Sequence, residues 1–127
     1  MSDEYILPKG AIQIFLDELK ILLKDSKVVF NLYLREDKPE AYTTKHCLQE
    51  LQYDKSDIIN ELLTLKVTNY VGTCDDKRNK KSNKFYIFSK YINNKEIYIK
   101  LKIESYDDKI VLCMSFHFAE FHMKRVY

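Results

Sequence analysis

From Glu96 to Glu104 the chain alternates polar and apolar side chains, and a second strand-like run, Lys109–His117, follows the pair Asp107-Asp108. Period two is the geometry of a β-strand, and an aspartate pair tolerates the left-handed backbone of a tight hairpin turn. Centring the turn on that pair sets Ile103 opposite Leu112, Leu101 opposite Met114 and Ile99 opposite Phe116, all apolar. The alternate positions pair Lys102 with Cys113, Lys100 with Ser115 and Tyr98 with His117. A shift of one residue would set apolar against polar throughout, so the pattern fixes the pairing. It predicts a hairpin with one face for the core and another carrying Tyr98, Lys100, Lys102, Ser115 and His117.

The rest of the second half has the same period. Phe85–Tyr91 reads as a strand joined to Glu96–Glu104 through Asn93-Asn94, and a further strand is expected in Val67–Gly72, before a loop over Thr73–Asn83. The first half is helical. Ile12, Phe15, Leu16, Leu19, Leu22 and Leu23 recur at helical spacing, predicting a helix from Lys9 to Lys24 behind Pro8. A helix capped by Thr43 or Thr44 runs to Leu51, and another starts at Ser56 with Ile58, Ile59, Leu62 and Leu63 as its stripe. Val28–Leu34 is β-branched and aromatic, a candidate short strand. Helices followed by an antiparallel meander predict an α+β fold, with N-terminal helices packed on a 3–4-stranded antiparallel sheet.

The 127 residues suit one domain, residues 1–127, with no linker long enough to divide them. No apolar run approaches the about 20 residues of a membrane span, and no secretory or transit peptide is visible, so a cytoplasmic protein without a membrane partner is expected. Cys47, Cys74 and Cys113 form no CxxC pair and are read as reduced thiols. The net charge of +2 conceals an asymmetry: residues 1–65 carry −4 and residues 66–127 carry +6. An anionic partner is therefore expected to meet the second half.

The predicted polar face has the equipment for phosphodiester cleavage without a metal or other cofactor. A base must take the 2′-hydroxyl proton, an acid must protonate the leaving 5′-oxygen, and a cation must stabilise the crowded phosphate. His117 is the candidate acid or base, Lys100 the phosphate stabiliser with Lys102 beside it, and Tyr98 an orienting group or proton donor. Glu120, three residues beyond His117, is positioned to assist it. Lys77, Arg78, Lys80, Lys81 and Lys84 place five cations within eight residues, suited to an RNA backbone, and Phe85, Tyr86 or Tyr91 could stack bases. Each feature also has a plainer meaning: a satisfied His–Tyr surface pair, a solvated lysine face, a solubilising loop. His117, Glu120 and His122 have poor spacing for a metal site, isolated glycines exclude a phosphate loop, and Cys113 opposite Lys102 is a weaker nucleophile candidate.

Several segments together carry a family resemblance. Leu65 with Asn69-Tyr70, the strand Phe85-Tyr86-Ile87-Phe88, the run Lys95–Ile103, and Cys113-Met114-Ser115-Phe116-His117-Phe118-Ala119-Glu120 resemble the MqsR-like toxins of bacterial type II toxin–antitoxin systems, which belong with the RelE-like small RNases. The resemblance spans about residues 43–120 and is most specific in the Tyr-Ile-Lys strand and the Ser-Phe-His ending. It implies a compact α+β, metal-independent endoribonuclease (mRNA interferase) that needs no cofactor. The implied partners are mRNA, a cognate antitoxin protein and, as a further candidate, the ribosome. Tyr98 falls on a tyrosine of the family's active site, and His117 where MqsR itself has a functional lysine. Val71 stands where another functional lysine is found, and the strand near Phe85 and Tyr86 lacks a glutamine. The alternative expectation is a non-catalytic module on the same fold that binds nucleic acid or inhibits another protein. A third is an interaction protein whose acidic helical half docks a basic partner.

Overall fold

The structure is a computed structural model and describes residues 4–34, 39–76, 84–105 and 109–127. Helix α1 spans Lys9–Leu23 and buries Ile12, Phe15, Leu16, Leu19 and Leu22, the stripe expected from the spacing. The Pro8 carbonyl accepts from the amides of Ala11 and Ile12. Helix α2, Thr44–Leu51, is capped by Thr43, whose side chain accepts from the His46 amide at 3.1 Å. Helix α3, Lys55–Leu63, begins one residue before Ser56. Asp54 caps it, and Asp57 reaches back to the Asp54 amide in a reciprocal capping box.

The strands are β1 (Val29–Leu32), β2 (Tyr70–Cys74), β3 (Phe85–Ile92), β4 (Lys95–Ser105) and β5 (Lys109–Phe118). They form one sheet of order β1-β5-β4-β3-β2. The class is α+β as expected, but among the described residues the sheet has five strands and is mixed, which corrects the expected 3–4-stranded antiparallel meander. Strands β2 to β5 are antiparallel in sequence order, whereas β1 lies parallel to β5, with Phe30 beside Val111 and Leu32 beside Cys113. Val67–Asn69 is a 3₁₀ turn leading into β2 and is not part of the strand. Asn93 and Asn94 join β3 to β4 with φ of 52° and 65°, the left-handed pair of a type I′ hairpin.

The expected β4–β5 pairing holds at Tyr98–His117, Ile99–Phe116 and Lys100–Ser115 and then shifts. A bulge between Lys100 and Leu101 brings Leu101 opposite Cys113, Lys102 opposite Leu112 and Ile103 opposite Val111. Met114 is the additional residue, and beyond it the two faces of β5 exchange. Cys113 is thereby turned into the core. It is fully buried, donates to the Ser115 carbonyl at 3.4 Å, and burial pushes its thiol up to about 12. The expectation that it stands beside Lys102 as an activatable nucleophile is corrected by this bulge. The turn residues Asp107 and Asp108 lie outside the described residues.

One sheet face packs on the helices. Phe30, Tyr70, Phe88, Ile92, Ile97, Ile99, Leu101, Ile103, Val111, Cys113 and Phe116 form one cluster with the stripes of α1 and α3 and with Cys47 of α2. Tyr53 donates to Glu61 at 2.5 Å, and Lys90 of β3 pairs with Glu61 at 2.6 Å, tying α3 to the sheet. Both outer strands have their edges engaged. The Lys55 ammonium donates to the Phe30 carbonyl of β1 at 3.1 Å. At β2, Tyr5 exchanges two backbone hydrogen bonds with Thr73, and the Val126 amide donates to the Tyr70 carbonyl. Among the described residues, no helix is long and apolar enough to cross a membrane.

Candidate functional site

The face away from the helices is where the alternation of β3, β4 and β5 converges. Register sets Tyr98 opposite His117, and their rings stack with centroids 5.0 Å apart and planes 7° from parallel. His117 is only 5% exposed. Its Nδ1 lies 2.9 Å from the Phe118 carbonyl oxygen. A carbonyl can only accept, so this contact calls for a proton on Nδ1 and makes Nε2 the lone-pair nitrogen of the neutral ring. Both the stack and that hydrogen bond fix the plane of the imidazole.

Lys100 projects from the same face, one pair further along. Its ammonium lies 5.0 Å over the Phe85 ring, and among the described residues no carboxylate comes within ion-pairing distance of it. Lys102, two residues on, shares the Phe85 ring at 5.0 Å but pairs with Asp76 at 2.6 Å and lies 3.8 Å from Glu104. Its side chain is 4% exposed. Lys102 was expected to present its charge to a phosphate. Instead it is buried and neutralised, which corrects that placement.

After β5 the chain crosses this face as a strap. The Ala119 amide donates to the Glu96 carbonyl at 2.9 Å, and the Met123 amide to the Glu96 carboxylate at 3.1 Å. Ser89 donates to the same carboxylate at 2.6 Å, and His122 Nδ1 lies 3.3 Å from it and 3.4 Å from the Tyr91 hydroxyl. Arg125 sits 5.6 Å over the Tyr91 ring, and Tyr127 stacks on Tyr70 and donates to the Leu7 carbonyl at 2.6 Å. Between strap and sheet lies an open depression of about 320 Å³. Tyr98, Lys100, Ser115 and His117 line it from the sheet, and Glu120 and Phe121 from the strap.

Four of the expected catalytic residues thus meet: His117, Tyr98, Lys100 and Glu120 share one depression. Of the expected RNA-contacting residues that are described, Tyr86 and Lys84 do not join them. Tyr86 points to the helix side, its ring stacked on Phe15 at 3.7 Å, because its β3 position alternates with Phe85. Lys84 lies 5.7 Å over the Tyr5 ring, outside the depression. Lys77, Arg78, Lys80 and Lys81 lie outside the described residues. Val71 stands at the β2 irregularity between Tyr70 and Gly72. Among the described residues no three His, Cys, Asp or Glu side chains are gathered for a metal. Sequence reasoning missed the strap, Met114 and Phe121. The sequence offered no clear signal for Phe121, because Phe118, Ala119 and Met123 stand at helix or strand spacing from it and imply packing. No protein-family model, curated protein or solved structure matches the chain.

Proposed function

We propose that the chain is a metal-independent endoribonuclease of the MqsR/RelE-like type, the cytoplasmic toxin of a type II pair, cutting mRNA and held in check by an antitoxin protein. The observation that carries the reading is the Tyr98–His117 stack in a depression shared with Lys100. In this reading His117 Nε2 takes the proton of a 2′-hydroxyl. The 2′-oxygen attacks phosphorus, the bond to the 5′-oxygen breaks, and that oxygen must receive a proton. Tyr98 is the group within the depression whose hydroxyl can supply it, with Glu120 assisting from the rim, and the Lys100 ammonium stabilises the negative charge that builds on the phosphoryl oxygens. The products are a 2′,3′-cyclic phosphate and a 5′-hydroxyl end.

Burial of His117 and neutralisation of Lys102 favour a second reading, a module that binds RNA without cutting it. One experiment separates the two. A long unstructured RNA is incubated in EDTA with the wild type and with His117→Ala, prepared identically. Cleavage to cyclic-phosphate ends by the wild type alone supports the ribonuclease. Cleavage by both removes His117 from the chemistry. Steeply salt-dependent binding with no cleavage by either supports the module.

A further inference from the structure

Phe121 is 82% exposed, more than any other large hydrophobic side chain among the described residues, and it stands at the rim of the depression. Its backbone is nevertheless held. The hydrogen bonds from Ala119 and Met123 to Glu96 anchor the chain two residues before it and two after it. A phenyl ring kept in water on an anchored segment, lining one depression with a cation that has no carboxylate partner among the described residues, is the arrangement that receives a stacked base. An unpaired nucleotide brings an apolar face and a phosphate together, matching ring and ammonium. The surface continues with the same chemistry, since Lys124 and Arg125 follow on the exposed strap and Arg125 lies over the half-exposed Tyr91 ring.

We infer that Phe121 is a base-stacking platform for single-stranded RNA whose adjacent phosphate is held at Lys100, with the strap through Arg125 guiding the flanking strand. The inference rests on the proposed RNA substrate but not on its cleavage. Duplex RNA is disfavoured because its base faces are already covered, and the strap offers one ring rather than a groove-shaped surface.

The test uses the full chain and an uncleavable 2′-O-methyl oligonucleotide of about a dozen nucleotides, near the site sizes of single-strand binders. An abasic strand of equal length and charge is the control. Phe121→Ala should bind the base-bearing strand roughly tenfold more weakly, with the abasic strand unaffected. The chain has no tryptophan, so Phe121→Trp supplies a single indole, excited selectively over the tyrosines, that stacking should quench, and only the base-bearing strand should quench it. Circular dichroism should be unchanged in both variants because the side chain is exposed. Equal binding by wild type and Phe121→Ala, or an unquenched tryptophan, overturns the platform. If unmodified RNA is still cut, the ribonuclease reading survives that result. Phe121-dependent binding without cleavage keeps the platform and removes the ribonuclease. No binding of either strand by the wild type overturns both and leaves this face to a protein partner.

Discussion

The two faces of the sheet both hold deeply buried side chains, by opposite means. On the helix side, Leu16, Ile58, Phe88, Ile99 and Phe116 are all inaccessible and exclude water as one apolar mass. On the other side Ser89, Lys102, Ser115 and His117 are nearly as deep, yet each is polar. That face works by pairing: Ser89 with Glu96, Lys102 with Asp76, His117 with the Phe118 carbonyl. Burial therefore does not mark the core in this molecule. The apolar face contributes most of the stability through area removed from water, while the polar face holds groups whose partners decide whether they are inert or reactive. Lys100 and Lys102 make the point within one strand. They occupy equivalent positions, and only Lys102 has a carboxylate against its ammonium among the described residues.

If this contrast is right, damage to the two faces should differ in kind. Leu16→Ala opens a cavity in the apolar mass and should cost about 4 kcal/mol in urea unfolding, with any activity falling in step with the folded fraction. Asp76→Asn removes the nearer counter-charge of a buried ammonium, leaving Glu104 at 3.8 Å, and should cost about 3 kcal/mol. Asp76→Leu combined with Lys102→Met should recover most of that loss, since replacing a buried pair by apolar groups is often near neutral. A double variant as unstable as Asp76→Asn alone would show that the pair is not the stabilising element. His117→Ala removes one ring of a stacked pair and should cost about 1 kcal/mol while abolishing cleavage, a separation no helix-face variant should give.

The smallest effect concerns a polar tie on the helix side. Burial would raise the Glu61 carboxyl, but hydrogen bonds from Lys90 and Tyr53 outweigh it and hold the pKa below the ordinary 4.5. A depressed carboxylate contributes stability above its unfolded pKa and loses it as pH falls through the lowered value. Glu61→Gln should therefore lower the melting temperature modestly at neutrality and leave it unchanged at strongly acid pH, flattening the acid limb of the profile. An unchanged acid limb would move the acid sensitivity elsewhere.

How legible each part was follows from its physics. The Tyr98–His117 pairing could be read because strand alternation is local and one face is strictly apolar from Ile97 to Ile103. The bulge could not, since Leu112, Cys113 and Met114 are all apolar and pattern alone does not say which is additional. Phe85 to Phe88 are likewise all apolar or aromatic, so nothing local assigned Tyr86 to the helix side. The cap at Asp54 was hidden by Ser56, which donates to the same carboxylate and resembles a cap itself. Lys102 finds Asp76 across 26 residues, and β1 finds β5 across some eighty; neither distance leaves a trace in local spacing.

The engaged strand edges bear on how copies of the chain meet at high concentration. A sheet can grow only by offering free amides and carbonyls to a newcomer. At one end Lys55 places a hydrated charge on the Phe30 carbonyl, and at the other Tyr5 and Val126 already occupy the bonding positions of Thr73 and Tyr70. Fibre-like addition of one molecule to the next must first strip away one of these guards. Assembly, whether with itself or with another protein, is thereby directed to side chains on the faces and away from the polymerising habit common to exposed β-structure.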